Sequence, residues 1–147
     1  MHSPLFVEEI KKNDTEVFVI KSSDFFVTQA QRLLEWNQKK LTSQADLKIE
    51  DLGELFAAEF VVIANGRNYE ANDQNYYEFL NKFRADIQSI NYQVQEFINA
   101  EATVIMPLTV FVKRVQGNED VYNAILLLKY NTAGKIIHWQ EVYALRQ

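Results

Sequence analysis

The chain has 147 residues and a mass of 17.2 kDa, room for one folded domain and no second. Hydrophobic residues make up 48% and charged residues 24%, with only 4 Gly and 2 Pro, which excludes collagenous and intrinsically disordered classes. The 15 basic against 20 acidic residues give a formal charge of −5 with no basic run, and there is no cysteine.

Each of these balances removes a class of function. Without a basic stripe to track phosphates, nucleic acid is not an expected partner. Without cysteine there is no disulfide, no thiolate metal site and no thiol nucleophile, which suits a reducing, cytoplasmic location. No apolar run approaches the roughly 18 residues of a membrane span, and Glu8 and Glu9 interrupt the apolar N-terminal stretch, which has no basic region before it. No membrane partner is expected.

Ser3 followed by Pro4 reads as the N-cap and first position of a short helix ending near Lys12, because the missing donor of proline costs nothing there. Asn13-Asp14 turns the chain, and Val17 to Ile20 reads either as a short strand or as a tether on the body. Phe26, Ala30, Leu33, Asn37 and Leu41 then recur at helical spacing, widened by Leu34 and Trp36. Its start is capped by Ser23 or Asp24, or else by Thr28 with Gln31 three residues on. Ile49, Leu52, Leu55 and Phe56 mark a second helix despite Gly53. Phe60 to Ala64 is short and β-rich and predicts a strand, closed by the turn chemistry of Asn65-Gly66. A third helix from about Asp73 shows Tyr76, Leu80, Phe83 and Ile87 on one face.

From Tyr92 the period changes. Tyr92 to Ile98, Thr103 to Val115, Val121 to Asn131 and Lys135 to Leu145 read as strands joined by short turns, an antiparallel meander. Helices first and long strands after give an α+β class. Tyr122 to Leu128 is apolar on both faces, so this strand lies centrally. With helices for one face only, a second copy of the chain is the expected cover for the other, a homodimer joined through the sheet.

Helix, helix, short strand, helix and four long antiparallel strands resemble, in that order, the nuclear-transport-factor-2-like superfamily. This cone-shaped fold includes the SnoaL-like polyketide cyclases and the ketosteroid isomerases. Leu55-Phe56-Ala57-Ala58-Glu59-Phe60-Val61-Val62 is similar to the family's helix-to-strand junction and Asn65-Gly66-Arg67 to its following turn. Gly134-Lys135-Ile136-Ile137, leading to Trp139, Glu141 and Tyr143, is similar to its last strand. The resemblance runs from about Asp24 to Leu145. It implies an α+β cone of three main helices packed on a curved, mostly antiparallel sheet, with residues 1–22 as a short N-terminal extension and 23–147 as the single domain.

Carried over with period-two geometry, the resemblance implies that Ile137, Trp139, Glu141 and Tyr143 share the concave face and that His138 and Gln140 point away. It also turns Tyr122, Ala124, Leu126 and Leu128 inward, with Val62 and Ala64 from the first strand. Thr109, Phe111 and Lys113 face inward if their strand keeps the family register; otherwise Lys113 is solvated near the strand end. The isomerases need a carboxylate base and two oxyanion donors. The corresponding positions look like Ala64, Leu126 and Leu33, all apolar, so isomerase chemistry is not expected.

The expected ligand pocket is therefore Trp36, Val62, Ala64, Phe83, Phe111, Tyr122, Leu126, Leu128, Trp139, Glu141 and Tyr143. Together with Tyr76 and Tyr77, its aromatics either line an apolar cavity or close the cone as core. Glu141 is the sole catalytic candidate: desolvation would prepare it for proton transfer, unless Arg67, Lys113 or a tyrosine hydroxyl simply satisfies its charge. His138 falls on the face away from Glu141, exposed or subunit-facing, and His2 belongs to the terminus. Ligands for a metal do not converge, and no cofactor is expected. Binding of a small hydrophobic molecule by a homodimer leads. A SnoaL-like or dehydratase-type enzyme using Glu141 with Tyr122 or Tyr143, and an interaction module using the sheet face, are the alternatives.

Overall fold

The structure is a computed structural model that describes Glu9–Ile10, Val19–Ile20 and residues 23–147. Two short strands, β1 (Glu9–Ile10) and β2 (Val19–Ile20), pair antiparallel. Glu9 and Ile10 thus correct the helix expected up to Lys12, since their backbone groups sit in a ladder with Val19 and Ile20. The rest of that predicted helix, with His2, lies outside the described residues.

Helix α1 (Ser23–Lys40) follows the predicted stripe, burying Phe26, Ala30, Leu33, Trp36 and Asn37. Because α1 begins at Ser23, Thr28 sits inside it and does not cap it. The segment predicted as a second helix is a 3-10 helix of six residues, Ile49–Glu54, anchored where the Lys48 N–H donates to Asp51 Oδ2 at 2.9 Å. It stops early because Phe56 already pairs with Ile136 and the Ile136 N–H donates to the Leu55 carbonyl at 2.8 Å. Strand pairing overrides the helical preference of Ala57 and Ala58. Strand β3 therefore covers Phe56–Ala64, four residues more than its sequence predicted.

Asn65 (φ 49°) and Gly66 (φ 85°) turn the chain in the left-handed region, as a tight hairpin requires. They lead into β4 (Arg67–Asn72), an edge strand too polar to be legible as one. Helix α2 (Asp73–Phe83) opens on a reciprocal cap, in which Asn72 and Asn75 each accept the other's backbone N–H at 2.9 Å. It ends at Phe83. Next to it, the Arg84 guanidinium donates to the carbonyls of Thr42 and Ala45 at 2.7 and 2.8 Å. Ile87, predicted on the helical face, instead starts β5 (Ile87–Val94) and is fully buried from there.

Strands β6 (Ile98–Ala100), β7 (Thr103–Arg114), β8 (Glu119–Tyr130) and β9 (Ile136–Leu145) complete a seven-stranded sheet. Its order is β4-β3-β9-β8-β7-β5, with β6 also on β7; only β3 with β9 runs parallel. The predicted meander is present as β5-β7-β8-β9, except that the strand expected from Tyr92 to Ile98 is divided, with β5 ending at Val94 and β6 beginning at Ile98, both paired with β7. The sheet is curved and unclosed, and helical segments pack in its concavity, an α+β cone. Among the described residues no helix is long and apolar enough to cross a membrane.

Two registers differ from expectation. Lys129 pairs with His138 but Tyr130 with Ile136, so Ile137 is the extra residue of a β-bulge. The bulge turns Ile136 inward, 1% exposed, and leaves Ile137 outside, 38% exposed. On β7, Leu108 pairs with Ala124 and Val110 with Tyr122, which puts the even-numbered residues inward. Thr109, Phe111 and Lys113 consequently face the convex side.

Candidate ligand cavity

The concavity is not completely filled. A cavity of about 130 Å³ remains, lined by Trp36, Asn37 and Leu41 from α1 and its end, and by Phe56 from β3. Helix α2 contributes Tyr76, Phe79, Leu80 and Phe83, and the sheet contributes Ile90, Tyr92, Leu108, Val110, Ala124, Leu126, Trp139 and Glu141. Phe79 and Phe83, 47% and 41% exposed, stack at 6.0 Å and form the rim. An engineered apolar cavity of about 150 Å³ accepts benzene, so the interior suits an occupant of roughly single-ring size.

The aromatic wall is built by mutual contact. Phe56 sits 4.7 Å from Phe60, 5.4 Å from Tyr76 and 6.3 Å from both Trp36 and Trp139. Such pairs stabilise by about 0.5–1.5 kcal/mol each beyond their burial. The Trp36 indole N–H donates to Glu54 Oε1 at 3.0 Å, which fixes that ring. Buried Asn37 donates from Nδ2 to the Tyr92 hydroxyl at 3.0 Å and so ties α1 to β5 beside the cavity.

Among the described residues, Glu141 is the one carboxylate in the lining. Parallel pairing sets it beside Ala64 and antiparallel pairing beside Leu126, both apolar. Burial raises its pKa, an effect opposed by a hydrogen bond with the Trp139 indole. Among the described residues no ion pair includes it, so neither Arg67 nor Lys113, both exposed, neutralises it. Burial also raises the pKa values of Tyr76 and Tyr92, and the Glu141 charge adds to both shifts.

Of the residues expected in the pocket, Trp36, Phe83, Leu126, Trp139 and Glu141 come together around this cavity. The others lie elsewhere. Val62 and Leu128 are buried in the core, and Ala64 is partly buried next to Glu141 on the strand ladder. Phe111 is on the convex face. Tyr122 accepts a hydrogen bond from Arg114 Nη2 at 3.1 Å and meets Tyr143 edge-on at 5.9 Å; neither lines the cavity, and Tyr143 lines a groove with Ile125 and Val142 instead. Leu33 is core, fully buried. His138 lies by Gln140, 3.0 Å from its Oε1, with Lys129 as its ladder partner. Among the described residues no group of three or more histidines and acids converges as a metal site.

The sequence reading omitted Asn37 and Tyr92 from the site, though Asn37 gave a signal as the polar member of an apolar helical stripe. Phe56 was hidden by its assignment to a helix, and Phe79, three residues after Tyr76 and four before Phe83 on the same face of α2, was left out of the predicted stripe. An open groove of about 390 Å³ also runs over the convex face by Gln95, Asn123, Ile125 and Val142. Among the described residues its lining includes no carboxylate and no cation.

No protein-family model and no curated protein matches the sequence. Solved structures do. An NTF2-like protein of unknown function from Exiguobacterium sp. 255-15 is 20% identical, with TM-score 0.56 over 83% of this chain and 93% of that one. An NTF2-like protein from Anabaena variabilis is 13% identical, with TM-score 0.66 over 83% and 91%. An LEH-like epoxide hydrolase of M. tuberculosis is 10% identical, with TM-score 0.64 over 83% and 84%. At such identities the likeness establishes the fold alone: the chain has the NTF2-like fold.

Proposed function

We propose that this NTF2-like chain binds a small hydrophobic molecule of about single-ring size in its cone cavity, as a cytoplasmic homodimer joined through the convex sheet face. The observation that carries the reading is a partly enclosed cavity lined by aromatic and aliphatic side chains with a few convergent polar groups, Asn37, Tyr92 and Glu141. The dimer is supported by Ile125 and Val142, ladder partners 47% and 52% exposed on the convex face, where monomers rarely leave an apolar surface. Thermal-shift and calorimetric titration with ring-sized apolar compounds tests the binding; saturable stabilisation supports it, and none from any compound contradicts it.

A second reading is favoured by one specific observation. Glu141 is half-buried with no ion-pair partner among the described residues, and its raised pKa suits an acid that gives a proton to a substrate oxygen and takes one back. Its neighbours in that role are Tyr76 and Tyr92 in place of Tyr122 and Tyr143. Turnover abolished by Glu141→Gln, with binding retained, would distinguish an enzyme from a binder. The third reading, an interaction module, requires a monomer in solution that offers its convex face to another protein.

A further inference from the structure

The lining of the cavity is electrostatically one-sided. Among the described residues its lining has seven aromatic side chains, one carboxylate and no lysine, arginine or histidine. Aromatic faces carry the negative part of the ring quadrupole and attract cations. A carboxylate partly withdrawn from water favours a positive partner or a proton, and among the described residues the interaction that favours the charged form of Glu141 is with the Trp139 indole. A neutral occupant leaves that preference unmet, and an anion opposes it. A cation meets it while its apolar substituents fill the space between Phe56, Tyr76 and the sheet.

We propose that the ligand of this cavity is a small organic cation, an ammonium on a carbon frame of about single-ring size, with its charge held against Glu141. The inference rests on the reading of the cavity as a binding site and narrows the class of ligand. The titratable groups that share the space with Glu141 are Tyr76 from α2 and Tyr92 from β5. Both phenols are pushed up and stay neutral across the physiological range. α1, β3, β7 and β8 present no charged side chain to the cavity. Glu141 is therefore the group whose ionisation sets the affinity, and ammonium binding weakens as the pH falls and its carboxylate takes up a proton.

Cyclohexylammonium, cyclohexanol and cyclohexanecarboxylate share one ring and differ in charge, and calorimetric titration of all three against the intact chain tests the proposal. The ammonium is expected to bind about tenfold or more tighter than the alcohol at neutral pH, and the carboxylate not at all. Glu141→Gln should remove the preference by weakening the ammonium and sparing the alcohol. In the unmodified protein the ammonium alone should lose affinity on acidification, a readout independent of whether the variant folds. Alcohol binding equal to or tighter than ammonium binding overturns this inference and leaves the cavity reading intact. Failure of all three probes to bind overturns both.

Discussion

Asn65 holds the backbone of Tyr143 at both of its polar groups: Oδ1 accepts the Tyr143 N–H at 2.9 Å and Nδ2 donates to the Tyr143 carbonyl at 3.3 Å. The Asn65 N–H also donates to the Glu141 carbonyl at 2.9 Å. The β3–β4 turn thus clamps the strand that carries the cavity's acid. Asn65→Ala removes both side-chain bonds and places a Cβ-bearing residue without local compensation at φ 49°. A loss of about 1–2 kcal/mol is expected in urea unfolding. Asn65→Gly keeps the turn and should lose about half as much. Both variants lack the clamp and only the alanine carries the strain, so no loss in Asn65→Gly would show that the clamp contributes nothing.

Gly134 joins the other end of β9 to α1. Its φ is +82°, and a Cβ there would lie 2.8 Å from the Phe25 ring. Its carbonyl accepts from Gln29 Nε2 at 3.0 Å. Gly134→Ala should destabilise the fold by about 1–2 kcal/mol from backbone strain, with the ring contact adding to it. The added part should disappear when Phe25→Ala is introduced in the same chain, as read in a double-mutant cycle of unfolding free energies.

Much of this architecture was legible in the sequence because it rests on periodicity. The stripe Phe26, Ala30, Leu33 and Asn37 marked α1, and Tyr122 to Leu128 marked the central strand. Features set by long-range pairing were not legible. Phe56 enters a strand because Ile136 pairs with it, and Ile137 leaves the interior because of a bulge that no local pattern marks. The site followed the same division. The family resemblance, carried along the strand by alternation, turned Trp139 and Glu141 toward the concave face, where they line the cavity, whereas Phe111 was misplaced by a one-residue register difference that turns every side chain of β7 over.

Glu141 gives stability a particular pH dependence. Its folded pKa is raised above the unfolded value, so the native state holds its proton more tightly. Its contribution is most favourable below the unfolded carboxyl range and is lost as the pH rises through the folded pKa. Glu141→Gln removes the penalty. The variant should therefore melt higher than the unmodified chain at neutral pH, with the gap closing on acidification. A gap that is constant with pH, or of opposite sign, would mean that the carboxylate is not desolvated.

Val142 tests the proposed dimer without touching the cavity, because it lies on the opposite face from Glu141. Val142→Asp brings a charge into the centre of the convex patch and should convert a dimeric mass to a monomeric one in light scattering, with near-UV circular dichroism retained. A monomeric mass for the unmodified chain would refute the dimer.

Both tryptophans of the chain, Trp36 and Trp139, line the cavity, so its occupancy reads out in intrinsic fluorescence. Titration with cyclohexylammonium and cyclohexanol, in the unmodified chain and in Ala124→Leu, which fills the interior, tests most directly whether this cone is a binding site. The account predicts a saturable fluorescence change that Ala124→Leu abolishes. No saturable change with either probe, or one unaltered by filling the cavity, would contradict it.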